Sequence, residues 1–149
     1  GLPSVHTVQP DVDPPDMRRS VEYAVEALRG RRAPQSSDGW MLIPADYPVL
    51  DPSTLAELVG AWEATADDIL IPQYGGENGH PSFFRWGITE RIQEIPNDQG
   101  LNWLLTATGI SIRQVPVGSE SILFDLDTPD DIQRVAQFIE SSKRATPGS

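Results

Sequence analysis

A chain of 149 residues with 38% hydrophobic content is long enough for one core and too short for two, and its four Trp, four Phe and three Tyr exclude a disordered polypeptide. A net charge of -11 excludes a nucleic-acid or anionic-membrane surface, which needs clustered Lys and Arg. With no cysteine there is no disulfide framework, no thiolate zinc site and no Cys nucleophile, and no run approaches the roughly 20 apolar residues of a membrane span. The expectation is therefore a single domain over 1–149, located in the cytoplasm, with no nucleic acid and no membrane as partner. The start at Gly1 instead of Met adds the expectation that something has been removed in front of it.

In chain order, residues 5–8 read as a weak strand and 11–15 as a Pro-Asp loop. Met17, Val21, Ala24, Val25 and Leu28 fall at helical spacing, with Asp13 or Asp16 as cap and Gly30 placed to end the helix. The basic clusters Arg18-Arg19 and Arg29, Arg31, Arg32 read as solvated helix ends. Residues 40–43, Trp-Met-Leu-Ile, form an apolar run without alternation, which suits a strand covered on both faces. Pro44 and Pro48 limit its pairing, so Asp46 falls at or just past its carboxyl end, the edge where open α/β sheets bind ligands.

Asp51-Pro52 opens a second helix with Leu55, Leu58, Val59 and Trp62 as its buried stripe. Residues 69–72 read as a strand that completes a parallel, right-handed strand-helix-strand unit. The glycine-dense stretch 75–81 is a loop where positive φ or close ligand approach is expected. A strand at 82–84, a short helix at 88–95 and a helix with Leu101, Leu104 and Leu105 follow, the last capped at Asn97-Asp98 and ended by Gly109. Strands are expected at 110–115 and 122–124. Thr128-Pro129-Asp130-Asp131 is a capping-box start for a final helix carrying Ile132, Val135, Ala136 and Ile139, frayed from 141 onward.

Two acidic sites thus follow strands: Asp46, and Asp125 with Asp127. Carboxylates there can converge on Mg²⁺, which takes oxygen ligands, usually one or two carboxylates plus water and phosphates. A turn cap at Asp46 and a helix cap at Asp127 are equally open readings. His80, between Gly79 and Pro81, reads first as a turn residue bonded to backbone, and second as a phosphate contact or a general acid or base. The 75–79 stretch has neither G-x-G-x-x-G nor a terminal Gly-Lys-Ser/Thr, and Asp98 and Gly100 read as caps.

In order and spacing, Pro44-Ala45-Asp46-Tyr47-Pro48, Gly76-Glu77-Asn78-Gly79-His80-Pro81, Asn97-Asp98-Gln99-Gly100 and Asp125-Leu126-Asp127-Thr128-Pro129-Asp130-Asp131 resemble the molybdenum cofactor nucleotidyltransferases, the cytidylyltransferase branch most closely. Met17 with Ser20 is similar to that family's Gly-Met-x-x-Ser-x helix start. The resemblance implies a Rossmann-like α/β fold, mostly parallel with helices on both faces, that transfers CMP or GMP from CTP or GTP to molybdopterin with Mg²⁺ and releases pyrophosphate. It implies Asp46, Asp125 and Asp127 as metal ligands, Asp46 and Asp127 as catalytic, and Gly76, Gly79, His80, Pro81, Asp98 and Gly100 as substrate-binding. Tyr47 stands where that family usually has Gln, Asn97 where it has Gly, and Asn102 where it has Arg.

The family's opening strand and glycine-rich basic loop, which hold the triphosphate through backbone N–H groups, match nothing here. The expectation is a C-terminal two-thirds of such a domain, inactive by itself, completed by a missing N-terminal segment or a second chain. Without that strand the 40–43 strand is expected to have an open edge. Two rival readings stand beside it: a nucleotidyltransferase acting on a sugar phosphate, sugar acid or flavin-type acceptor, and a non-catalytic binding or regulatory module on the same sheet.

Overall fold

The computed structural model describes residues 5–145, which fall into two compact units: the described residues up to 39 with 85–110, and 40–84 with those from 111 onward. Residues 1–4 and 146–149, the latter the end of the tail expected to fray, lie outside the described residues.

In the first unit, helix α1 (Met17–Arg32) starts where Asp16 accepts a hydrogen bond from Arg19 N–H at 2.7 Å and buries Val21 and Val25, one turn apart. It runs through Gly30, the expected stop, and ends at Ala33, whose φ is 44° and whose N–H bonds Arg29 O. Arg29, Arg31 and Arg32 in its last turn face the negative end of the helix dipole, which supports the extra turn. The 5–8 stretch is not a strand. It has no regular secondary structure and is exposed.

The helices expected at 88–95 and after 100 are both 3₁₀ turns, Trp86–Glu94 and Leu101–Leu105, burying Ile88, Ile92 and Leu104. Asn97 and Asp98 do not cap the second. Gln99 N–H instead bonds Pro96 O in a turn, and Gly100 takes the cap position without a side-chain bond.

The second unit is built on a five-stranded sheet: β1 (Gly39–Leu42), β2 (Ile69–Tyr74), β3 (Glu77–Asn78), β4 (Ser82–Arg85) and β5 (Ile112–Pro116). Strand β2 is central. It pairs antiparallel with β4 at its start and with β3 at its end, and parallel with β5 along Ile69↔Ile112 to Gln73↔Pro116. Asp68 and Ser111 fix that parallel register, since the Asp68 carboxylate accepts from both N–H and Oγ–H of Ser111 at 2.9 Å. The β1 and β2 strands are not neighbours, because β4 lies between them.

Strand β1 departs from the doubly covered strand expected of an unbroken apolar run. Trp40 and Leu42 are half-buried, Trp40 stacking on Phe84 with ring centroids 4.5 Å apart, while Met41 is 40% and Ile43 36% exposed. β1 stands at the end of the strand order and has β4 on one side. Burial on both faces is reached instead by Ile69, Leu70, Ile71 and Pro72 of β2.

Helix α2 (Pro52–Glu63) follows the sequence reading. Asp51 accepts from Thr54 N–H and from the hydroxyls of Ser53 and Thr54, and Pro52 fills the first turn. These bonds hold the Asp51 carboxyl below the usual carboxylate range. Leu58 is fully buried against Leu70, Phe83, Val117 and Ile122, with Leu55 and Trp62 packed at the margin and Val59 left 38% exposed. A side chain buried to that degree contributes about 1.5–3 kcal/mol. The expected strand at 122–124 is a 3₁₀ turn, Glu120–Leu123, capped where Ser119 Oγ accepts from Ser121 N–H. Helix α3 (Pro129–Ala145) opens with the expected box: Thr128 N–H donates to Asp131 at 2.8 Å and Asp131 N–H to Thr128 Oγ1 at 3.4 Å. It continues past 141, burying Val135 and leaving Ile132 and Ile139 exposed.

Candidate functional site

Three loops of the second unit meet around His80. The first leaves β1: Tyr47 N–H bonds Pro44 O at 3.2 Å, closing a turn that carries Asp46 on the surface. The second is the glycine-dense stretch, which resolves into a hairpin. Gly75 and Gly76, with φ of 59° and 91°, are the two turn residues between Tyr74 and Glu77, the left-handed pair that suits the twist of a two-residue hairpin. Gly76 is thus used by the turn. The third is the 3₁₀ turn with the segment 124–128 after it, which presents Asp125 and Asp127 ahead of α3.

Gly79 and His80 tie these pieces together. Gly79 N–H bonds Pro72 O and His80 N–H bonds Ile122 O, each at 2.9 Å. The crossing is so close that a Cβ on Gly79 would stand 2.3 Å from Ile122 O. The His80–Pro81 peptide is cis and Pro81 is buried. The imidazole bonds the backbone of Leu42, lies 3.5 Å from Ser82 Oγ, and meets the Tyr47 ring edge-to-face at 4.7 Å between centroids.

Burial pushes the His80 imidazole below its ordinary 6.5, against the opposing pull of the Leu42 bond and of the Asp46 charge. The unfolded chain therefore takes up this proton at higher pH than the native chain. The stability it contributes is fully present above about pH 6.5 and is lost as pH falls through the native value. An NMR titration of the imidazole is expected to show a midpoint under 6.5; a midpoint above it would mean that the Leu42 bond and the Asp46 charge together outweigh burial.

Tyr47 reports on the carboxylates. Burial raises its phenol above the ordinary 10.0, followed by the charges of Asp125, Asp46 and Asp127. All three acids thus act on one half-buried phenol, and among the described residues none forms an ion pair with a basic side chain. No group of three His, Cys, Asp or Glu among the described residues is close enough to cage a metal ion. An oxygen-only pair of exposed carboxylates still fits Mg²⁺, which keeps several waters and takes the remaining ligands from phosphates. Asp98 and Gly100 belong to the first unit, Asp98 exposed in its turn and Gly100 opening the 3₁₀ helix at Leu101–Leu105.

The first unit has a groove of its own along α1, lined by Arg18, Arg19, Glu22, Tyr23, Gln93 and Asn97. Arg18 donates to Ile95 O at 2.8 Å, and Arg19 pairs with Glu22. With Glu22 and Glu26 lining it alongside the two arginines, it lacks the net positive field that a polyphosphate needs. No helix is long and apolar enough to cross a membrane among the described residues.

The MobA-like NTP transferase domain matches residues 4–113 of the sequence, a stretch that takes in Asp46, Gly79 and His80 and stops before Asp125. No curated protein matches. Among solved structures, Rv0371c from Mycobacterium tuberculosis H37Rv superposes with a TM-score of 0.60 at 24% identity, covering 76% of this chain and 58% of its own. Rv0371c in complex with manganese gives 0.58 at 24% identity, with 76% and 59% covered. Molybdopterin-guanine dinucleotide biosynthesis protein A from Archaeoglobus fulgidus gives 0.56 at 18% identity, with 81% and 63% covered. At these identities the likeness is one of fold, and it agrees with the α/β nucleotidyltransferase sheet expected from the motifs. The chain spans about three-fifths of the length of each.

Proposed function

The chain belongs to the MobA-like NTP transferase family, and from that premise we propose that it carries the cation-binding and acceptor-facing part of a nucleotidyltransferase that moves CMP or GMP from CTP or GTP to the phosphate of molybdopterin. What supports this reading is the convergence of Asp46, Asp125 and Asp127 on Tyr47 beside a half-buried His80. In the proposed reaction an acceptor phosphate oxygen attacks the α-phosphorus, the bond to the bridging oxygen breaks, and pyrophosphate leaves. Mg²⁺, when bound by Asp46 and Asp127, would neutralise charge on the phosphates and align the in-line displacement. Asp125, whose charge acts more strongly on Tyr47 than those of Asp46 and Asp127, adds to the field that attracts the cation. His80, neutral at pH 7, can donate or accept at the acceptor wall without repelling that cation. Gly79 permits the close crossing that aims it.

One observation favours a second reading, a binding or regulatory module without catalysis: no glycine-rich basic loop of the kind that holds a triphosphate occurs within these 149 residues. Mg²⁺ with CTP or GTP is expected to raise the melting temperature under the transferase reading, by about 2.7 kcal/mol of stability at a hundred times Kd. Pyrophosphate release is expected only when a triphosphate-binding loop is also present. Turnover of CTP and molybdopterin by the 149-residue polypeptide would overturn that division of labour, and no melting shift with any nucleotide would favour the module.

A further inference from the structure

Tyr47 joins two pieces of the candidate site that the backbone does not join. Its N–H closes the turn that carries Asp46, and its ring stands at 74° to the His80 imidazole with centroids 4.7 Å apart. The main chain of His80 is fixed separately, by its N–H bond to Ile122 O and by the Gly79 crossing. Its ring has a bond to the Leu42 backbone and a long 3.5 Å contact with Ser82 Oγ. The phenol hydroxyl has no hydrogen-bond partner of its own among the described residues, so the contact that Tyr47 makes is through its ring.

We propose that Tyr47 is a positioning residue: its ring holds the His80 imidazole against the Asp46 turn, so that the imidazole and the carboxylates face the same space. Edge-to-face geometry places the positive edge of one ring on the negative face of the other. That biases ring orientation by a few-fold to about tenfold, and a side chain without a ring cannot supply it. The inference rests on the reading that Asp46 holds a divalent cation, and it adds that His80 reaches that cation's surroundings only while Tyr47 is aromatic. A turn residue with a merely structural role would affect melting and leave the imidazole where it is.

Mn²⁺ serves as both ligand and paramagnetic probe in the 149-residue chain. The sequence has two histidines, His6 and His80, so His6→Gln assigns the imidazole signals. In the wild type, Mn²⁺ is expected to broaden the His80 signals, with its affinity read by calorimetry. Tyr47→Phe keeps the ring and should retain both the affinity and the broadening. Tyr47→Gln removes it and should keep the affinity while the broadening falls several-fold and the metal-free His80 ring shifts move. Tyr47→Leu, which keeps apolar bulk if glutamine disturbs the turn, should behave as Tyr47→Gln does. Unchanged broadening and ring shifts in the glutamine and leucine variants would overturn the proposal, as would equal losses in the phenylalanine variant. Failure of the cation reading looks different: Mn²⁺ then does not bind the wild type, or binds Asp46→Asn equally well, and the metal-free ring shifts still decide what Tyr47 does.

Discussion

Gly79→Ala is expected to destabilise the second unit by roughly 2–4 kcal/mol, a large effect for the addition of one methyl group. The reason is steric, not conformational, because Gly79 lacks the positive φ of Gly75, Gly76 and Gly109. Its added Cβ would lie 2.3 Å from Ile122 O and 2.8 Å from Ile122 Cδ1. Neither neighbour can yield easily. Ile122 is 2% exposed in the core, and its carbonyl already accepts the His80 N–H. On the other side Gly79 N–H is bound to Pro72 O, so retreat from Ile122 breaks a second bond. Gly60→Ala is the control. It lies inside α2 with open space around its Cβ position, and alanine there should stabilise by about 0.5–1 kcal/mol. Urea unfolding of the two variants should therefore move in opposite directions, and a Gly79→Ala midpoint at or above the wild-type value would show that the crossing can open.

The sequence patterns that proved legible are those whose cause is local. Asp51-Pro52 and Thr128-Pro129-Asp130-Asp131 carry their caps within one turn, and both helices begin where those residues place them. The patterns that misled depend on neighbours far along the chain. An apolar run at 40–43 is the same string whether a strand is central or stands at the end of the order, and only the pairing with β4 decides that Met41 and Ile43 are exposed. Three apolar residues at 122–124 cannot distinguish a strand from a 3₁₀ turn, and the deciding bond comes from Ser119.

The same division runs through the site. Asp46, Asp125 and Asp127 are legible as acids that follow apolar runs, and their motifs point to one chemistry. Tyr47 is visible in the sequence only as a departure from the usual glutamine. Its contact with His80 follows from the hairpin at Gly75-Gly76 and the crossing at Gly79, neither of which a motif describes. The best available signal was the glycine immediately before His80, a residue without a side chain where a second backbone passes.

Asp46→Asn is expected to reduce divalent-cation affinity by more than about 100-fold, since loss of a direct ligand should exceed the 10- to 100-fold effect of disturbing the groups around one. Folding should survive. Asp46 is exposed, and no hydrogen bond or ion pair of its side chain is found among the described residues, so the amide leaves no buried group without a partner. Removing one of the three charges at Tyr47 lowers its phenol toward the ordinary 10.0, and Asp125→Asn should lower it further because Asp125 exerts the larger effect. The phenol titration thus tests the geometry without metal, while Mn²⁺ calorimetry tests the cation site. A loss of cation binding in Asp46→Asn and Asp127→Asn, with an unchanged melting temperature and no loss in Asp98→Asn, assigns the ligands to the second unit. Cation affinity that survives Asp46→Asn while the Tyr47 titration shifts as expected would leave the carboxylates as neighbours of the phenol and remove Asp46 from the metal.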